Sequence, residues 1–148
     1  MKRAFIAALL LIANVSSVGA VEVEKNIKRA VLDYIESQHK VDSSMMARGL
    51  DKKLAKRTYW LDKSGKEFVM ETSHEFMVDL AGRYNKKGDK FPKDPRVEIK
   101  VLDIDKRVAS VKLTVDEWID YMHLYQNEQG KWKIINVLWQ YHDTNRHQ

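Results

Sequence analysis

The chain has 148 residues, 26 basic and 21 acidic side chains, a formal charge of +5 and no cysteine. That length supports one domain with a sizeable core but not two, and the charge is too mild to form the basic surface that nucleic acid requires. The missing thiols exclude thiol catalysis, thiolate metal sites and disulfide staples, so stability rests on burial.

Met1-Lys2-Arg3 gives a positive start, Ala4 to Val15 an apolar run, and Val18-Gly19-Ala20 a small-residue cleavage site. This pattern predicts a signal peptide over residues 1–20 and an exported product, periplasmic or secreted. The uninterrupted apolar run is about 12 residues, short of the ~20 that span a bilayer, so no membrane association is expected after cleavage. Residues 21–148 are then a single domain, and loss of Lys2 and Arg3 leaves a charge of +3.

From Glu24 to Gln38, Ile27, Ala30, Val31, Tyr34 and Ile35 recur at the spacing of one helical stripe, which predicts an amphipathic helix. Asp42-Ser43-Ser44 offers an N-cap for a shorter helix carrying Met45, Met46 and Leu50, with Gly49 near its end. Arg57 to Asp62 and Glu67 to Glu71 flank Lys63-Ser64-Gly65 and predict a small hairpin. Thr72 with Glu75 forms a capping-box pattern that opens a third helix, with Phe76, Met77, Leu80, Ala81 and Tyr84 at helical spacing until Gly88.

Residues 85–95 hold both prolines and an excess of lysine and predict an exposed loop. After them, Val97–Ile104 and Val108–Val115 alternate around Asp105-Lys106, and Trp118–Asn127 and Lys131–His142 alternate around Glu128-Gln129-Gly130. Two linked hairpins predict a four-stranded antiparallel meander. Residues 143–148 are polar and are expected to fray. Helices followed by long strands make the fold class α+β, with the helices on one face of a curved sheet.

The segments "AVLDYIESQHKVD" (30–42), "LAKR" (54–57), "WIDYMHL" (118–124) and "GKWKIINVLWQ" (130–140) resemble the "Putative lumazine-binding" family of the nuclear transport factor 2-like superfamily. The resemblance covers nearly all of residues 21–148, and its last motif is the most specific. It implies a cone-shaped α+β roll, cystatin-like, in which a bent antiparallel sheet wraps around N-terminal helices and leaves a pocket at the wide end. It also implies dimerisation through the sheet. The superfamily contains isomerases, cyclases, dehydratases and non-catalytic binding domains, so the resemblance does not select a function.

A three-residue loop with Gly130 in the left-handed conformation makes Asn127 face Lys131, which sets Asp120 opposite Leu138 and Met122 opposite Asn136. One face then carries Trp118, Asp120, Met122, Leu124, Ile134, Asn136 and Leu138, and is expected to line the pocket. The other carries Ile119, Tyr121, His123, Tyr125, Ile135, Val137, Trp139 and Tyr141, and is expected to form a homodimer, because such a surface does not stay exposed on a monomer.

An aspartate in an apolar pocket has its ionised form disfavoured, which suits proton transfer. Asp120 is therefore either a general acid or base, with Tyr34, Tyr59 or Asn136 hydrogen-bonding a developing oxyanion, or a structural carboxylate that caps a backbone donor or pairs with Lys or Arg. His39 and Asp42 are a pocket-rim pair or a local cap, and His123 a proton shuttle or an interface residue. The expected ligand-binding set is Tyr34, Tyr59, Trp118, Asp120, Met122 and Asn136. The aromatic residues would suit a flat heterocycle. No histidine pair has ligand spacing with a third acid, so no metal is expected, and no phosphate-cradling loop or serine elbow is present. No cofactor is implied. Three readings follow: an exported small-molecule-binding protein without catalysis, an isomerase-, dehydratase- or cyclase-type enzyme using Asp120, and a protein-interaction module.

Overall fold

The computed structural model describes residues 5–148, with side chains from Gly19 onward. The charged start of the expected leader and the side chains of its apolar run lie outside the described residues. Among the described residues no helix is long and apolar enough to cross a membrane.

Helix α1 (Phe5–Lys40) contains the predicted amphipathic stretch. Ile27, Val31 and Ile35 are fully buried and Ala30 and Tyr34 nearly so, as their common stripe requires. Each large aliphatic side chain buried there contributes about 1.5–3 kcal/mol. The chain leaves the helix at Val41, whose φ is 58°, and Asp42 caps α2 (Ser43–Gly49) by accepting the Met45 N–H at 3.0 Å. Gly49 lies so close to α1 that an added Cβ would sit 2.8 Å from the Ala30 carbonyl oxygen. Arg48 ties α2 to α1 by closing on the buried Asp33 at 2.7 Å, and Arg29 of α1 holds the same carboxylate at 2.8 Å.

Strand β1 (Leu50–Leu61) starts where α2 stops, seven residues ahead of the predicted Arg57, so Leu50 belongs to the strand and not to the helix. It pairs with β2 (Glu67–Thr72) as the expected hairpin. Helix α3 (His74–Ala81) is capped by Ser73, which accepts the Phe76 N–H at 3.2 Å, and not by Thr72. It ends at Ala81, because residues 82–88 turn away from helical geometry. Strands β3 (Val97–Asp105), β4 (Val108–Val115), β5 (Trp118–Gln126) and β6 (Trp132–Tyr141) form the predicted meander. The hairpin and the meander are one curved sheet, ordered β2-β1-β6-β5-β4-β3, because β1 runs parallel to β6. The sheet is therefore mixed rather than purely antiparallel. Its inner face, with Val111, Leu113, Met122, Leu124, Ile134 and Val137, closes the core against the helices.

The register of the last hairpin departs from expectation. Asn127 does face Lys131, through a 2.9 Å backbone bond, Gly130 has φ of 74°, and pairing holds as far as Leu124 with Ile134. A bulge then intervenes, so that His123 pairs with Asn136 and Asp120 with Trp139. One extra residue moves every later side chain of β6 to the opposite face. Asn136 and Leu138 are exposed, whereas Val137 is buried and Trp139 and Tyr141 turn to the inner side, the reverse of the predicted assignment.

The tail is not frayed. After a 3-10 turn at Thr144–Arg146, His147 is 1% exposed. It fills the gap beyond Arg57 and Leu138, where β1 and β6 cease to pair. The Leu61 N–H donates to the His147 carbonyl at 2.8 Å, and the Tyr141 N–H donates to Nε2 at 2.9 Å. Nε2 is thus the acceptor, so Nδ1 carries the proton and donates to the Tyr59 carbonyl at 2.9 Å.

Candidate functional site

Trp118 and Asp120 are two apart on β5 and point to the same inner side, as strand alternation dictates. Asp120 has no solvent exposure. It accepts the Trp118 indole N–H at 2.8 Å, the Lys56 ammonium at 3.0 Å and the Tyr34 hydroxyl at 3.4 Å. Tyr34, from the middle of α1, in turn accepts from Lys56 at 3.0 Å. Lys56 reaches this point because Leu54, Lys56 and Thr58 alternate inward along β1. The Lys56 side chain is 8% exposed, and its ammonium lies 4.6 Å from the centre of the Trp139 ring.

Burial acts on both partners of the aspartate. It pushes the Tyr34 hydroxyl well above the ordinary tyrosine value, with the neighbouring Asp120 charge adding to the effect. It holds the Lys56 ammonium below the ordinary lysine value, while Asp120 pulls the other way.

In front of this cluster is a cavity of 150 Å³. Tyr34 and Gln38 of α1, Lys56 of β1, Met70 and Thr72 of β2, and Phe76, Met77 and Leu80 of α3 form part of its wall. Tyr84, Trp118, Trp139 and Tyr141 complete it. Asp120 is not in the wall but behind it, screened by the groups that donate to it. The lining is mainly apolar and aromatic, with a few polar groups, the usual build of a small-molecule site.

Of the residues expected from sequence, Tyr34 and Trp118 line the cavity and Asp120 supports them. Met122 is a core residue, 1% exposed. Two expectations are corrected. Tyr59 faces away and stacks on His147 with ring centres 4.3 Å apart, because inward positions on β1 are the even-numbered ones. Asn136 is on the outer face because of the bulge. His39 packs edge-on against Phe91 at 4.1 Å while Asp42 caps α2, so the two do not form a rim pair. His123 is exposed on the outer face.

Lys56, Gln38, Tyr84 and Trp139 were not expected at the site. The signal for Lys56 lay in "LAKR", where a strand begun at Leu50 puts Lys56 in phase with Leu54 and Thr58. Among the described residues no three His, Asp or Glu side chains gather to hold a metal ion.

Among curated proteins none matches the sequence. The fold is similar to that of an "ntf2-like protein of unknown function" from Shewanella baltica, with 19% identity, a TM-score of 0.61, and coverage of 82% of this chain and 95% of that one. It is also similar to an "NTF-2 like protein of unknown function" from Silicibacter pomeroyi, with 15% identity, a TM-score of 0.65, and coverage of 82% and 98%. A "ketosteroid isomerase-like protein" from Erwinia carotovora atroseptica has the same fold at 13% identity and a TM-score of 0.53, with coverage of 79% and 94%. Likeness at these identities shows a shared nuclear transport factor 2-like fold and leaves function to the site. The family described as "Putative lumazine-binding" matches residues 22–140, which include α2, α3 and nearly the whole sheet, and the chain belongs to that family.

Proposed function

We propose that this is an exported protein that holds a small molecule non-covalently in the cavity between α1, α3 and the sheet. The observation that carries the reading is the engagement of Asp120, whose oxygens accept from Lys56, Trp118 and Tyr34 behind the cavity wall. A general base must reach the proton it removes, and this carboxylate offers no face to a ligand. What the cavity offers instead is shape, aromatic surface and a few fixed hydrogen-bonding groups. Titration of small flat ring compounds is expected to raise the melting temperature, since a ligand that binds only the folded chain stabilises it. Leu80→Trp, which fills the cavity from α3, should abolish that rise. If no such compound raises the melting temperature of the unaltered protein, the binding reading fails.

A second reading is acid–base catalysis. Its support is the connected chain of Asp120, Tyr34 and Lys56, the last two of which reach the cavity wall. That reading requires Asp120→Asn to lower turnover by orders of magnitude while ligand is still bound.

A further inference from the structure

A second recess lies at the other end of the last hairpin from the cavity. It is a groove of 330 Å³ between α1, the end of α2 and the turn that opens β6, and it shares no lining residue with the cavity. Its charge is one-sided. Arg29, Arg48, Lys131 and Lys133 line it, against the single carboxylate of Asp33.

Each cation is placed there by local structure. Arg29 and Asp33 are four apart on α1 and share one face of the helix. Arg48, from the last turn of α2, grips the same carboxylate through Nε at 2.7 Å and Nη2 at 2.8 Å. Lys133 donates to the Arg48 carbonyl at 2.6 Å, one of the unpaired carbonyls that end a helix and attract a cation. Lys131, two residues earlier, is exposed and makes no ion pair among the described residues.

These contacts leave the groove short of negative charge. Asp33 already accepts from both guanidinium groups. Glu36 reaches Arg29 at 3.2 Å but also holds Lys40 at 2.8 Å. Even with Glu36 counted wholly, four cations less two carboxylates leave +2. Burial holds the Lys133 ammonium below the ordinary lysine value, and the Arg48 charge adds to this while Asp51 and Asp33 oppose it.

Two guanidinium forks and two ammonium groups suit a phosphoryl group, which offers three strong acceptor oxygens and close to two negative charges. A carboxylate would neutralise only half of the excess. We infer that the groove is a binding site for a phosphoryl dianion, independent of what the cavity holds.

The test titrates inorganic phosphate into the full chain at about pH 8, where the dianion predominates. Side-chain resonances of Arg29, Arg48, Lys131 and Lys133 are followed, with sodium chloride at equal ionic strength and sodium acetate as references. Phosphate is expected to give saturable shifts concentrated on these four residues. The paired change Lys131→Gln and Lys133→Gln should weaken it about tenfold, the worth of one or two charged hydrogen bonds at an open site. The comparison of phosphate with chloride in the unaltered protein decides the matter even if the variant does not fold. Equal shifts in chloride, or equal shifts at Lys86, Lys87, Lys90 and Lys93 of the exposed loop, would overturn the site. Acetate binding as tightly as phosphate would overturn the dianion. Phosphatidylcholine vesicles with and without phosphatidate separate two sources of the same chemistry. Cosedimentation that requires phosphatidate supports the site with a lipid headgroup as its ligand, and phosphate binding without cosedimentation supports it with a soluble phosphorylated compound.

Discussion

The ion pair of Asp120 with Lys56 is 0% and 8% exposed on its two sides, the most deeply buried ion pair among the described residues. Removing one partner of such a pair leaves a bare charge in a medium that solvates it poorly. Asp120→Ala is therefore expected to destabilise the fold by about 3–5 kcal/mol in urea denaturation. The double replacement of Asp120 by Leu and Lys56 by Met should cost far less than the sum of the single changes, and a double-mutant cycle measures the difference. Tyr34 makes a separate prediction. Its folded value is raised, so the stability it contributes is fully present below about pH 10 and is lost as pH rises through the folded value. Alkaline titration of phenolate absorbance should show Tyr34 resisting ionisation until the chain unfolds, and Tyr34→Phe should remove that part of the alkaline loss. Much of this cluster was legible in the sequence, since Asp120 on an apolar face is visible from alternation alone. Its partner Lys56 was not, because a lysine at an inward strand position reads as surface until the strand's start is known.

At the scale of elements, local signals located the helices and strands, but long-range pairing decided their ends and faces. The apolar stripe of α1 and the alternation of β4 place their elements well because each has one wet side and one dry side. In β6, "IINVLW" is apolar on both sides, so no contrast marks the bulge and register cannot be read from pattern. The polar tail likewise conceals His147, whose docking depends on a gap between β1 and β6 that only the folded sheet creates. His147→Ala is expected to speed amide exchange at Tyr141 and Leu61, and to lower stability by about 1–3 kcal/mol through the donor left buried at Tyr141. Gly49→Ala tests the α1–α2 contact. The added Cβ meets backbone at 2.8 Å, so the helices must separate, and a loss of about 1–3 kcal/mol in chemical denaturation is expected.

At the scale of the whole molecule, the sheet divides the protein into a side that encloses the cavity and a side that faces outward. Tyr121 is 46% and Leu138 62% exposed on that outer side, with Lys112 over the Tyr121 ring. We propose that a second copy covers this face. Sedimentation at micromolar concentration should give twice the chain mass, and Leu138→Lys should return it to the single mass with the fold retained. On the cavity side, we propose that the protein retains a small molecule without a covalent bond to it. The most direct measurement is native mass spectrometry of protein isolated from its own cells. One discrete mass excess that disappears on denaturation is expected. An excess that survives denaturation, or a bare chain mass in every preparation, would contradict it.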